Sequence, residues 1–422
     1  MQRRENRSRL VAVVAALTLV ALAGCAAEAV PPPPPPPGRM VGAPPPLDVT
    51  EVYLQQRIAA LTPQQKVAAL VMVHVPGTDA ARIRNVIDAY GFGGVILMGD
   101  NVAGPAGSVA GLTGALSSEA GLPVLTAIDQ EGGVVRRLLE DEALAARDLW
   151  GREPVATQEA FATRAALVAE AGVLINFGIV ADVTPDRSSF IRNRTLGETP
   201  EAAADRVAAA VRGELGVVLS TLKHFPGHGA SPDDSHVSIP RSPIDLATWR
   251  STHAVPFQAG IDAGAPLVMT GHLQFDQISP LPASLSPTWV SLLRDELGFD
   301  GVIVTDDLLM LQRSGVAAYA DPVSNAIQAL AAGNDLVLFV LPSDPATVGI
   351  DLGGLLDALV TALNDGRLDE VSIDESLHRV LTLRRAATGL VEPFVDCGPK
   401  CWGLSPRSLD PVDTFRPDLE PV

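Results

Sequence analysis

Eight short apolar runs recur along this chain, each leaving into a loop of glycine or polar residues and then into an amphipathic stretch rich in Ala and Leu. The runs span 69–73, 94–98, 123–129, 174–183, 217–224, 266–272, 301–306 and 335–340, and their β-branched content marks buried strands. Helical stretches fall between or after them near 108–120, 158–171, 200–215, 246–263, 287–297, 322–332, 351–364 and 373–387. An opening helix spans 52–60, and Thr62-Pro63 is a helix start signal. Eight strands alternating with helices predict a closed (β/α)8 barrel forming a single catalytic domain, with a doubly wound open sheet as the alternative. The position of the polar residues favours the barrel. Asp129, Lys223, His224, His272 and Asp306 all sit at the C-terminal ends of their strands, which converge on one mouth in a barrel and scatter along an edge in an open sheet.

The densest of these strand ends is Lys223-His224-Phe225-Pro226-Gly227-His228-Gly229, followed by Asp233-Asp234-Ser235-His236. Pro226 cannot continue a ladder, and Gly227 and Gly229 tolerate dihedrals that other residues avoid, so the chain leaves the sheet here in a loop crowded with titratable groups. His224 and His228 have the i, i+4 spacing of a zinc-binding helix. Pro226 and Gly227 argue against a helix, there is no His-Glu-x-x-His pattern, and so neither metal nor cofactor is called for. The stretch Asp129-Gln130-Glu131-Gly132-Gly133, ending in Arg136-Arg137, lacks the patterns of a nucleotide cradle. At 301–307 a strand runs into two acids: Asp307 suits an N-cap of the next helix, leaving Asp306 to face the mouth.

A net charge of −18 gives no general attraction for nucleic acid or for anionic surfaces. Arg3, Arg4, Arg7 and Arg9 precede an apolar run over 10–21 that ends in Leu22-Ala23-Gly24-Cys25. That order reads as a bacterial lipoprotein signal over 1–24, with lipidation at Cys25, export and a membrane anchor. The run is short for a transmembrane helix, and whether export is by the Sec or the twin-arginine route stays open. Residues 25–50 are a Pro-rich spacer that holds the folded part off the membrane. The barrel domain is read over 51–392. In the tail, 393–422, Cys397 and Cys401 can close a small disulfide loop in an oxidising compartment.

Lys-His-Phe-Pro-Gly-His-Gly with Asp-Ser-His downstream, Asp129-Gln130-Glu131-Gly132-Gly133 upstream, Gly93-Gly94-Val95-Ile96-Leu97, Val304-Thr305-Asp306-Asp307-Leu308 and Pro282-Ala283-Ser284-Leu285-Ser286 resemble the β-N-acetylglucosaminidase branch of glycoside hydrolase family 3. The resemblance runs from about Leu61 to Leu390. It implies retaining hydrolysis at the barrel mouth, with Asp306 as nucleophile and Asp234 and His236 as an acid/base dyad on a mobile loop. It further implies that Asp129, Arg137, Lys223 and His224 hold the hydroxyls of a terminal N-acetylglucosamine. Arg194 is the matching pocket arginine, with Arg192 as its competitor; His272 lines the site or is structural.

Residue chemistry is consistent with those roles. Residues i and i+2 of an extended loop point the same way, so Asp234 can accept from one imidazole nitrogen of His236 and fix the tautomer of the other. A histidine so held can give a proton to a leaving oxygen and later take one from water. The reading that follows is a membrane-anchored exo-β-N-acetylglucosaminidase acting outside the cytoplasm on muropeptide fragments of peptidoglycan. A phosphorylase using inorganic phosphate as acceptor is the enzyme alternative, and a non-catalytic sugar-binding lipoprotein is the alternative from another class. A β-glucosidase of the same family would need a second domain for its acid/base glutamate. If Cys25 carries the anchor, Cys25→Ala should move the protein out of the membrane fraction or leave it unprocessed on fractionation and immunoblotting; a processed, membrane-bound variant would refute lipidation.

Overall fold

The structure, a computed structural model, describes residues 49–116 and 122–387. Cys25, the leader, the Pro-rich spacer, Cys397 and Cys401 lie outside the described residues. Within them, the strands β1 (Val71–Val73), β2 (Gly94–Leu97), β3 (Leu125–Ile128), β4 (Ile175–Val180), β5 (Leu219–Phe225), β6 (Arg241–Ser242), β7 (Leu267–Thr270), β8 (Gln274–Phe275), β9 (Val302–Asp307) and β10 (Leu336–Phe339) occur in that order. Eight of them close a barrel, β1-β10-β9-β7-β5-β4-β3-β2. Every pairing is parallel, and closure is made by Val71 opposite Val337 and Met72 opposite Gly94. All eight sequence-predicted strands are present, most trimmed by a few residues, with β5 and β9 starting one or two residues late and running one residue further, to Phe225 and Asp307. Parallel strands covered on both faces must be apolar throughout, and β1, β2, β3, β4, β7 and β10 are buried along their whole length.

The small ladder of β6 and β8 stands apart from the barrel. Arg241 pairs with Gln274 and Ser242 with Phe275, and an Arg241–Asp276 ion pair closes the end. Each strand is two residues long, too short for any periodicity to reveal. A second departure from the sequence reading is the helix expected over 246–263, which is two helices, Leu246–Ser251 and Ala254–Asp262. Pro256 explains the break: it has no N–H, and its ring collides with the carbonyl four residues back, at Thr252, in a continuous helix. The helix Ala80–Tyr90, between the first two strands, is capped by Asp79, which accepts from Ala81 N and Arg82 N, and ends at Gly91 with φ of 75°.

Two packing features fix the C-terminal end of β5. Phe225 sits in an edge-to-face cluster with Trp249, Phe257 and Trp289, at centroid separations of 6.0, 5.3 and 5.9 Å, and Trp249 Nε1 donates to the carbonyl of Pro226 at 2.8 Å. Buried aromatics carry large apolar area and prefer this geometry, so they hold Pro226 firmly beneath the loop. On the other side, Asn176 of β4 exchanges hydrogen bonds with the main chain of Gln130, its Oδ1 accepting from Gln130 N and its Nδ2 donating to Gln130 O, each at 3.1 Å. Asn176 Nδ2 also donates to Glu214 Oε1 at 2.6 Å. Glu214 is fully buried, and burial pushes its carboxyl up to about 7 against the opposing bonds from Asn176 and Ser220.

The sign of the linkage follows. Between its ordinary value of 4.5 and about 7, Glu214 ionises in the unfolded chain while staying protonated when folded, so its contribution to stability falls as pH rises through that window. Glu214→Gln should therefore gain stability relative to the wild type as pH is raised from 4 to 8, by up to about 3 kcal/mol. Urea melts of both proteins at the two pH values measure this; a stability difference that does not change with pH would show that Glu214 does not titrate there.

Candidate active site

The loop after β5 begins on a single buried carboxylate. Asp182, just past β4, accepts from His224 N, from His228 N at 2.6 Å and from the ring Nδ1 of His224 at 2.8 Å. Burial alone would raise its pKa, but the charge and hydrogen bond of His224, with His228, hold it below the usual carboxylate range. Two glycines let the loop fit. Gly227 has φ of 127°, and a Cβ on Gly229 would lie 2.1 Å from the carbonyl oxygen of Val183, so a side chain at either position is excluded.

Charges alternate along the mouth from there. Lys223 Nζ meets Asp129 Oδ1 at 2.9 Å and Glu131 Oε1 at 2.7 Å. Arg137 reaches Asp129 Oδ2 at 2.9 Å, while Arg194 clasps Glu131 through Nε at 2.8 Å and a terminal nitrogen at 2.7 Å, the bidentate geometry that suits guanidinium to carboxylate. Arg194 also lies 3.4 Å from His224 Nε2. Desolvation of Asp129 is outweighed by Lys223 and Arg137, and that of Glu131 by Arg194 and Lys223, so both carboxyls are held low. Lys223 and Arg194 are raised in turn, the two carboxylates overcoming their burial. The Gly132–Gly133 turn, closed by Glu131 N donating to Val135 O at 3.0 Å, folds Arg137 back onto Asp129.

The two acids at the end of β9 have separate fates. Asp307 is committed to structure: Oδ1 accepts from Leu309 N and Val340 N at 3.1 and 3.0 Å, and Oδ2 pairs with Arg313 at 2.7 Å. Asp306 makes one hydrogen bond among the described residues, from Asp307 N at 2.8 Å. Burial works against its ionisation, but the field of His224, His272 and Lys223 together with that hydrogen bond keeps it ionised below its ordinary range. A carboxylate held ionised with free lone pairs is what a nucleophile requires.

Asp234 and His236 form the dyad the sequence anticipates, with Oδ1 to Nδ1 at 2.6 Å, on an exposed stretch. Desolvation works against ionisation of Asp234, but the main-chain and ring N–H groups of His236 and its charge together outweigh it and lower the Asp234 pKa. His272 is structural: Nδ1 meets Ser284 Oγ at 2.8 Å and Nε2 meets the carbonyl of Asp307 at 2.9 Å. Between the two competing arginines, Arg194 enters the site; Arg192 instead binds the carbonyls of Thr184 and Pro185 and pairs with Glu198. Glu131 and Asp182 were not singled out as site residues in the sequence. Glu131 belongs to the stretch Asp129–Gly133, two residues past Asp129; Asp182 carries no sequence signal beyond falling near a strand end. Among the described residues, no three His, Cys, Asp or Glu side chains are grouped to hold a metal ion.

A parallel barrel whose mouth sets Asp306, a carboxylate with acceptor positions left open, beside a lattice of paired charges able to bind hydroxyls, with an Asp–His pair on the loop leaving β5, is the setting of a glycoside hydrolase. The chain matches the family model described as the glycosyl hydrolase family 3 N-terminal domain over residues 62–383, and it belongs to that family. It is 36% identical over 288 residues to a β-hexosaminidase of Stenotrophomonas maltophilia, covering 65% of this chain and 84% of that one. Among solved structures it is similar to a family 3 β-N-acetylglucosaminidase from Paenibacillus, with a TM-score of 0.70 and 33% identity over 80% of this chain, spanning 65% of that longer one. It is likewise similar to a β-N-acetylhexosaminidase from Beutenbergia cavernae, with a TM-score of 0.66 and 32% identity, covering 77% of this chain and 98% of the other.

Removing the Asp182 carboxylate would leave two main-chain N–H groups and a ring nitrogen without their acceptor in a dry interior. Asp182→Ala should cost about 3–5 kcal/mol in urea unfolding and abolish most activity, whereas a loss under about 1 kcal/mol would mean that the carboxylate does not organise this loop.

Proposed function

We propose that this chain is a retaining exo-β-N-acetylglucosaminidase that removes terminal N-acetylglucosamine from peptidoglycan fragments outside the cytoplasm, anchored through Cys25. The observation that carries the reading is the separation of the two acids at β9: Asp307 is fully engaged, and Asp306 keeps its lone pairs. In the first step Asp306 attacks the anomeric carbon as the glycosidic bond breaks, and His236 gives its proton to the departing oxygen. In the second, His236 takes a proton from water, the hydroxide oxygen bonds to the anomeric carbon, and the ester to Asp306 is released. Asp234 keeps the ring oriented throughout. Asp129, Arg137, Lys223, Arg194 and His224 bind the sugar hydroxyls, their mutual pairing holding them at fixed positions before the sugar arrives.

The names of the similar β-hexosaminidase and β-N-acetylglucosaminidases support the sugar assignment. For the aglycone, support comes from charge. Arg136 and Arg187 lie on loops leaving β3 and β4 and make no ion pair among the described residues, in a chain of net charge −18. Unpaired guanidinium groups there suit a carboxylate-bearing aglycone such as a muramyl peptide.

Asp306→Ala should lose at least about 10³-fold in kcat on every β-N-acetylglucosaminide. His236→Ala should lose about 10²–10⁴-fold with disaccharide or alkyl aglycones and far less with 4-nitrophenolate, which leaves without a proton. Equal losses for both kinds of leaving group would remove His236 from the acid/base role. The sugar product should be free N-acetylglucosamine with and without phosphate; its 1-phosphate would turn the reading into phosphorolysis.

A further inference from the structure

The segment carrying the dyad is bonded mainly to itself. Asp233 N donates to Ser231 Oγ, His236 N to Asp234 Oδ1 and Ser238 Oγ to the carbonyl of Asp234. These bonds shape the turn but do not fix it against the barrel. Its ends are anchored elsewhere, His228 N on Asp182 and Arg241–Ser242 on β8. Between those anchors the His236 ring makes one contact with a residue outside its own segment among the described ring pairs. It stands edge-to-face to Phe190, with centroids 6.2 Å apart and planes at 86°.

Phe190 is itself held from three sides. Its ring meets His228 at 4.7 Å and 72°, and the Arg194 guanidinium lies over it at 5.9 Å. The turn that bears it is braced by Arg192, whose guanidinium binds the carbonyls of Thr184 and Pro185 while its N–H donates to Ser189 O at 3.1 Å. His228 is buried with both ring nitrogens unpartnered, so it offers Phe190 an uncharged surface; burial pushes its pKa down to about 4.

We propose that Phe190 is a positioning residue for the acid/base histidine: an apolar post, fixed on His228 and Arg194, against which the His236 ring sets the direction of its proton. The proposal rests on the assignment of His236 as proton donor. An aromatic ring suits the task for two reasons. It orients a second ring through its quadrupole without binding the proton that ring must transfer. It also meets both the Arg194 guanidinium and the His236 ring with an apolar surface, where a polar side chain would bring water to a histidine that must carry positive charge in turn.

A post acts through His236, so its removal should matter only when the leaving group needs the proton. Phe190→Ala should slow a methyl or disaccharide β-N-acetylglucosaminide by about 10- to 100-fold, the scale of a misplaced catalytic group, and 4-nitrophenyl β-N-acetylglucosaminide by less than about 3-fold. Phe190→Tyr, which keeps the ring, should restore most of that loss, and in a His236→Ala background Phe190→Ala should add less than about 2-fold. Equal losses with both aglycones, additivity with His236→Ala, or failure of the ring-keeping variant to rescue would overturn the proposal. His236→Ala alone separates the two ideas. If it lacks leaving-group dependence, the acid/base assignment and the post both fall; if it shows that dependence while Phe190→Ala does not, only the post falls.

Discussion

The carboxylate of Asp182 fixes more of the mouth than any other group. It stands just beyond one barrel strand and receives three donors from the next, so it joins β4 to the exit of β5 where the ladder has ended. His224 obtains its ring orientation there and His228 its backbone position. From that point the loop can only run toward β8, where a two-residue ladder catches it. The aromatic cluster under Pro226 resists the same segment from below. Acceptor above and rings below leave the segment Lys223–Gly229 little freedom, which is the condition for side chains to stand where a sugar needs them.

Burying so many charges would be ruinous if they were unpaired. The mouth avoids that cost by alternation: Arg137, Asp129, Lys223, Glu131 and Arg194 form a chain in which each charge touches one or two of opposite sign. Paired charges lose little when water leaves, and their remaining hydrogen-bonding capacity is pre-aimed. Asp306 stands outside the pairing. The field reaches it through His224, His272 and Lys223, which keep it ionised without binding its oxygens, so stabilising the charge leaves its acceptor positions open.

The barrel was legible because its signal is repeated eight times, and each strand end could be compared with the others. Asp129, Lys223, His224 and Asp306 were legible because they terminate apolar runs, where a charged residue has few structural uses. Arg194 could not be separated from Arg192 by sequence, since the choice depends on which guanidinium finds Glu131 and which finds a pair of carbonyls. Asp182 meets His224 from 42 positions away, and Phe190 meets His228 and His236 across the mouth from distant stretches of chain, and no local pattern encodes such meetings. The broken helix at Thr252 was readable in principle from Pro256, but amphipathic periodicity outweighed it.

The β6–β8 ladder has one more consequence. It ties the segment bearing Asp234 and His236 to the excursion after β7 rather than to its own strand, so that segment is a bridge with two abutments, its span resting on the barrel core through Ile239 and on Phe190 through the His236 ring. The length of a bridge can change while its abutments stay put, because loop closure grows only slowly costlier with added residues. The charged recess at the ends of β3, β4, β5 and β9 would not notice. A scaffold of this kind can thus exchange what lies beyond the scissile bond while keeping the sugar it grips, making the span the natural place to graft new aglycone tolerance onto an unchanged barrel.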